Sequence, residues 1–374
     1  MKNALASTLL VTTILVASSA ASEAQTSPWQ QRTVPVTPTA PKASQRASTP
    51  VKSEAIAPSH VPSAPLGDSG VKPPSAGGSS SLGPATAPAS GENAAYEAFD
   101  QGKYLTALEL AQKDAAAGNA VAHTLVARLY AEGFGVPKDA AIAAKWYARG
   151  AELGDIEAAF GLGVLFAQGS GVPKNFQEAA RNFEVAALAG HALANYNLAL
   201  LFLKGDGKPL NAHRAFGHMR YAAEQGVISA QYDLGTLFAA GHGTEPNAFE
   251  AALWIGKAAA QGHAEAQVDY AVILAKDHDL PAEQKLGLRK QAFGLLQSAA
   301  EKGLPVAQNR LAQSYANGVG VEKNIAEALK WHLIAKAGGS EDEALEALVR
   351  RVSKSDRDKA QRAADEWRER ATIQ

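Results

Sequence analysis

Glycine recurs along this chain at a fixed interval. Gly118, Gly154, Gly190, Gly226 and Gly262 stand 36 residues apart; the step to Gly303 is 41, and Gly339 follows after another 36. A second set runs in register with the first: Gly133/Gly135, Gly169/Gly171, Gly205/Gly207, Gly241/Gly243 and Gly318/Gly320. Its last interval is 77, one ordinary and one long step, so a five-residue insertion lies between Gly243 and Gly303. A period of this length marks a repeat array, in which each unit packs on its neighbours and the core grows in one dimension. A chain of 374 residues then need not divide into two or three globular domains.

Other columns keep the same register. Ala107, Ala143, Ala179, Ala215, Ala251, Ala292 and Ala328 each precede a first-set glycine by eleven residues. Leu162, Leu198, Leu234 and Leu311 share one position, and Phe166, Phe202, Phe238 and Tyr315 follow four residues later. Between them fall small residues: Ala127, Gly163, Ala199, Gly235, Ala271 and Ala312. Each unit reads as two helices. In residues 158–190, Ala158, Leu162, Gly163 and Phe166 lie on one helical face. The Gly169-Ser170-Gly171-Val172-Pro173 stretch breaks that helix, and Asn175 starts the next as its N-cap. Asp139, Asn211, Asn247 and Asn324 occupy the same phase. Ala179, Phe183, Ala186 and Ala187 form the buried stripe of the second helix, and Gly190 ends it in a left-handed conformation. One such pair cannot bury its apolar face, so stacking is obligatory and the fold class is all-α.

The combined pattern is a small-x-x-x-Leu-Gly/Ala-x-x-aromatic run, then Gly-x-Gly-Val-x-x-Asp/Asn, then Ala, Trp-Tyr and Ala-Ala-x-x-Gly. It resembles the Sel1-like repeat family. The clearest copy runs from Leu129-Tyr130 through Gly133-Phe134-Gly135-Val136-Pro137-Lys138-Asp139 to Trp146-Tyr147 and Gly154. The resemblance spans residues 93–339 and includes six consecutive matching units. It implies a right-handed α/α solenoid of about seven helix-turn-helix repeats, related to tetratricopeptide arrays and acting as an adaptor or scaffold. Exported bacterial members include regulators of envelope signalling and exopolysaccharide production. A cysteine-rich branch associated with β-lactam binding has one disulfide per repeat; this chain has no cysteine and departs from it.

Four segments follow. Residues 1–24 read as a signal peptide: Lys2 precedes an apolar run from Ala4 to Ala17, with cleavage after Ala24 or Ala20. That run is too short for an ordinary membrane span, so no transmembrane helix is expected in the mature chain. Residues 25–92 read as a disordered linker. Twelve of the chain's 18 prolines fall there and Trp29 is its one aromatic residue, so it cannot bury enough apolar area to offset its entropy. Residues 93–339 are the solenoid. Its first repeat, 94–118, is atypical: Gln101-Gly102-Lys103-Tyr104 replaces the glycine loop. In the fifth full unit Asp277-His278-Asp279 replaces the glycine pair, and Asp279 is read as the cap of a lengthened second helix with Pro281 in its first turn. Residues 340–374 read as capping helices, with starts at Ser340/Glu343 and Ser355/Asp358. Leu345, Leu348, Val349 and Val352 form one stripe there, and Ala360, Ala363, Ala364 and Trp367 the other.

The functional expectation is a binding protein without catalysis. A net charge of -1 argues against a dedicated nucleic-acid binder. Zero cysteine excludes disulfides, thiolate metal sites and a thiol nucleophile. His213 and His218 do not share a helical face, and the repeated Gly-x-Gly pairs lack the strand–turn–helix context of a phosphate cradle. No catalytic residue, cofactor or metal is therefore assigned. His218 falls in the Trp146/Trp254/Trp331 column as a packing residue, and His191 and His263 read as exposed turn residues. In helical repeats the first helix of each pair lines the concave face. Its outward column is Thr124, Phe160, Tyr196, Tyr232, Val268 and Asn309, followed one turn later by Arg128, Val164, Leu200, Thr236, Val272 and Gln313. The expected groove for a protein or peptide partner is Phe160, Val164, Tyr196, Leu200, Tyr232, Thr236 and Val268, with Arg128 at its rim. The expected setting is the periplasm, with secretion as the alternative. An envelope protein that interacts with β-lactams or peptidoglycan, and a passive spacer, are the competing readings.

Overall fold

The computed structural model describes residues 94–276 and 279–373, and every regular element among them is an α-helix. A short opening pair, α1 (Ala94–Asp100) and α2 (Tyr104–Ala116), precedes six full pairs. These are α3 (Ala120–Glu132) with α4 (Ala140–Glu152), α5 (Ile156–Gln168) with α6 (Phe176–Leu188), and α7 (Ala192–Lys204) with α8 (Ala212–Glu224). Next come α9 (Ile228–Ala240) with α10 (Ala248–Ala260), α11 (Ala264–Ala275) with α12 (Ala282–Glu301), and α13 (Pro305–Asn317) with α14 (Ile325–Ala337). Two further helices, α15 (Glu343–Arg351) and α16 (Lys354–Ile373), close the chain. Each helix of the array packs chiefly on the one before and the one after it. The segments read as signal peptide and linker lie outside the described residues.

The repeated columns are the helix–helix contacts. The alanine column is buried throughout, from Ala107 to Ala328. Within a repeat, a large residue of the second helix fills the hole left by a small residue of the first. Phe183 packs where a side chain on Gly163 would go, and Ile255 does the same against Gly235. Leu198, Leu234 and Leu311 are at most 1% exposed, and Phe216–Phe238 and Phe293–Tyr315 meet edge to face at 5.1 and 5.2 Å.

The loops between paired helices are built alike. The first glycine of each pair ends the first helix in the left-handed region, with Gly205 at φ 75° and its amide on Leu201. The cap residue then ties the loop at both ends. The Asn247 backbone amide donates to the Phe238 carbonyl at 2.9 Å, while its side chain accepts from Phe249 and Glu250 amides. Asp139, Asn175, Asn211 and Asn324 cap their helices in the same way. The second glycine has a different reason to be glycine. Gly171, Gly207, Gly243 and Gly320 lie against the backbone of the preceding repeat's second helix, at Ala140, Phe176, Ala212 and Arg289, where a Cβ would overlap it.

Three starts differ from the sequence expectation. The long helix α12 has 20 residues against the usual 13, but begins at Ala282 with Pro281 in the cap position and no side-chain cap bond, so Asp279 is not its cap. Asp277 and His278 lie outside the described residues. The α15 cap is Asp342, which accepts from the Leu345 amide at 2.9 Å; Ser340 instead receives the Asn309 amide group at 3.2 Å. At the start of α16, Ser353 accepts from the Asp356 amide and donates to the Asp356 carboxylate at 2.7 Å. In both places the cap is the residue whose oxygen reaches the amide three positions on, and several nearby polar residues compete for that description in sequence. Leu345 and Ala364 are buried, and Trp367 meets Trp331 edge to face at 5.5 Å, so the closing helices cover the side of α14.

Candidate partner-binding face

The first helices of the repeats carry the residues expected to meet a partner. Phe160, Val164, Tyr196, Leu200, Tyr232 and Thr236 are half-buried, Val268 is buried, and Arg128 is exposed. Thr124 and Asn309, at the two ends of the outward column, are buried. Val272 and Gln313 are half-buried. These side chains also flank the repeat cores. Phe160 and Val164 pack on the cluster around Phe183 and Leu198, and Tyr196 and Leu200 on the cluster around Met219 and Leu234. Arg128 lies 4.9 Å above the Phe99 ring.

Side-chain hydrogen bonds join one repeat to the next along this column. Tyr196 donates its hydroxyl to Asp233 at 3.0 Å, and Tyr232 donates to Asp269 at 2.9 Å. Thr124 donates to Asp155 at 2.7 Å, and Gln313 to Asp342 at 2.6 Å. Thr236 spends its hydroxyl on the Asp233 carbonyl of its own helix. Burial pushes the Asp233 carboxyl up to about 6, the Tyr196 bond pulls it back, and Glu265 adds to the rise. Burial raises Asp269 as well, against the Tyr232 bond and the Arg310 charge. Burial and the neighbouring carboxylates hold Tyr196 and Tyr232 protonated, as hydrogen-bond donors must be.

The histidines are more engaged than their place beside the turn glycines suggests. His191 and His263 are N-caps whose Nδ1 atoms accept from the Ala194 and Ala266 amides. Their side chains are 12% and 19% exposed, and their rings stack on Phe160 at 4.3 Å and Tyr232 at 4.8 Å. They are therefore caps wedged under the aromatic residues and not exposed turn residues. His191 Nε2 faces Glu157 at 3.1 Å, and that bond lowers the Glu157 carboxyl. Burial, followed by Arg214 and Glu184 acting in opposite directions, sets His218 below its ordinary value; its ring lies parallel to Phe202 with Nδ1 2.9 Å from the Asn195 side chain.

Two sets of residues escape a reading of the sequence that follows apolar columns. One is Asp233 and Asp269, which are 36 apart, one position after the outward column. The other is a buried amide column, Asn195, Gln231, Gln267 and Gln308, each donating to the carbonyl eight residues earlier at the end of the preceding helix. Each of those carbonyls also accepts the backbone amide of the turn glycine that follows, Gly190, Gly226, Gly262 or Gly303, so the side-chain amide is its second bond and ties the next helix to it. Both sets are visible as polar residues at the repeat period.

Elsewhere, an open cleft of about 430 Å³ is lined by Glu224, Gln231, Trp254, Lys257 and Gln261. Its polar groups are turned on each other: Gln261 donates to Gln231, and the Lys257 ammonium sits 3.7 Å over the Trp254 ring. Among the described residues, no group of three or more histidine, aspartate or glutamate side chains is placed to hold a metal ion. No helix among them is long and apolar enough to cross a membrane.

Fold and face together define a helical repeat scaffold. The Sel1 repeat matches residues 120–155, 156–191, 192–227, 228–263, 264–304 and 305–340, and the chain belongs to the Sel1 repeat family. It is similar to the crystal structure of a Sel1 repeat protein from Oxalobacter formigenes, at 30% identity and a TM-score of 0.57, over 68% of this chain and 99% of that one. It is also similar in fold to a protective antigen present in uropathogenic Escherichia coli strains that displays an SLR fold, at 20% identity and a TM-score of 0.45, over 71% of this chain and 72% of the antigen. No curated protein matches the chain in sequence. Sel1 repeats form protein–protein interaction scaffolds, and proteins built from them are generally non-enzymatic.

Proposed function

We propose that this chain is an exported, non-enzymatic adaptor of the cell envelope, with regulation as its role, that binds a protein partner through the first-helix face. Half-buried aromatic and aliphatic residues on three successive first helices, Phe160, Tyr196, Leu200 and Tyr232, support the binding reading. Tyrosine is among the residue types enriched in the few positions that carry most of the energy of protein interfaces. The Lys2 and Ala4–Ala17 pattern supports export, and the periplasm is the compartment that a tethered scaffold suits best.

The test is capture of partners from envelope extract on the wild-type chain, beside a variant with Phe160, Tyr196 and Tyr232 changed to alanine. A folded variant that loses the partner supports the face. A partner retained equally by both moves the site to the loops or to α15 and α16, and no partner at all favours a passive spacer.

A further inference from the structure

Along the first-helix face an apolar half gives way to an anionic one. Phe160, Val164, Tyr196 and Leu200 on α5 and α7 are followed by Asp233 on α9 and Asp269 on α11. A carboxylate drawn out of water ordinarily needs a cation beside it. The groups that bear on Asp233 among the described residues are the Tyr196 hydroxyl, at 3.0 Å, and another carboxylate, Glu265. Asp269 has Arg310 in its favour, one repeat further on. Arg128, another cation of this face, is at the far end over Phe99. Structural pairing therefore accounts for Asp269 better than for Asp233. Two tyrosine hydroxyls fix the orientation of both carboxylates at the same phase of consecutive repeats.

Resting on the scaffold reading above, we propose that this face takes an extended segment of a partner protein in which lysine or arginine is flanked by apolar residues. The basic groups reach Asp233 and Asp269, and the apolar residues lie on Phe160, Val164, Tyr196 and Leu200. The charges commit the surface to this occupant. An acidic segment meets repulsion from Glu157, Asp233, Glu265 and Asp269. A second copy docked symmetrically brings the same carboxylates against themselves.

The experiment is selection of random twelve-residue peptides on the full chain. The expected result is enrichment of lysine or arginine beside leucine, valine or proline. The leading peptide should bind at least ten-fold more weakly to the Asp233→Asn, Asp269→Asn variant, which keeps an acceptor oxygen for each tyrosine. Replacing the peptide's basic residues with glutamine should cost as much. Binding should also weaken from pH 7 to pH 5 as Asp233 takes a proton, in surroundings shared with Tyr196, Glu265, His263, Asp269 and Arg310. Peptides without basic enrichment, lost on Phe160→Ala and Leu200→Ala, would overturn the basic partner and leave the scaffold face intact. No selected peptide, with an extract partner indifferent to the face variants, would overturn both. Self-association abolished by Asp233→Asn would give the face to a second copy and overturn the peptide.

Discussion

The loop edge and the first-helix face of this solenoid obey different rules. At the loop edge the repeats agree: four of the second glycines touch the preceding repeat's backbone, and Asp139, Asn175, Asn211, Asn247 and Asn324 cap the second helices of five repeats. On the face they disagree: Thr124, Phe160, Tyr196, Tyr232, Val268 and Asn309 share one position but range from polar through aromatic to aliphatic. The first set answers a geometric demand that is the same at every junction. The second answers to whatever lies next to it, which changes along the array. Conformity therefore locates packing, and divergence at a fixed phase marks the face proposed for recognition.

The largest effect expected is at the loop edge. Gly205 and Gly207 both have positive φ, at 75° and 67°, yet a Cβ on Gly205 finds its nearest neighbour at 3.4 Å while one on Gly207 overlaps the Phe176 backbone. Gly205→Ala should cost about 1–2 kcal/mol from conformation alone, and Gly207→Ala about 3 kcal/mol or more, read by urea unfolding. Equal costs would mean that the second glycine is there for conformation, as the first is.

The next effect is at the face. The folded Asp233 carboxyl titrates near 6 and the unfolded one near its ordinary value, so between those limits the folded chain binds more protons. Stability is then highest below about pH 4 as far as this group is concerned, and falls by about 1–3 kcal/mol as pH rises through 6. Asp233→Asn should remove that decline. A denaturation series from pH 4 to pH 7 that is no steeper for the wild type than for the variant would show that the carboxylate is not desolvated.

Asn247→Ala should cost about 1 kcal/mol, since it leaves the Phe249 and Glu250 amides without their acceptor. Placing the same substitution at Asp279, which caps nothing, should change stability by less than about 0.5 kcal/mol. At the bottom of the scale, breaking the exposed Arg149–Glu152 pair with Arg149→Ala should cost less than about 0.5 kcal/mol. A larger loss would give the outer surface a structural share that the comparison denies it.

How much was legible follows from the same division. The helix pairs, the glycine loops, five second-helix caps and the buried alanine column are all readable because each recurs at 36 residues. The lengthened helix α12 is readable from its five-residue insertion, although its start is not: Pro281 and Asp279 are both acceptable first-turn residues, and local chemistry does not choose between them. The same ambiguity moved the caps of α15 and α16 to Asp342 and Ser353. On the face, the outward column is identified by counting from the packing columns. What the count omits is that Tyr196 and Tyr232 reach across to the next repeat and that His191 and His263 lie beneath the neighbouring rings.

The sequence by itself determined the repeat, its register and the residues that must be small, because those constraints are local and recur with the chain. Only the tertiary structure decided which polar groups meet. The Tyr196–Asp233 and Tyr232–Asp269 bonds join residues 37 apart, and the amide column reaches carbonyls on a different helix. Such pairings depend on how far one repeat is displaced from the next, a distance set by the summed packing of every small and large residue between them and written in no single position.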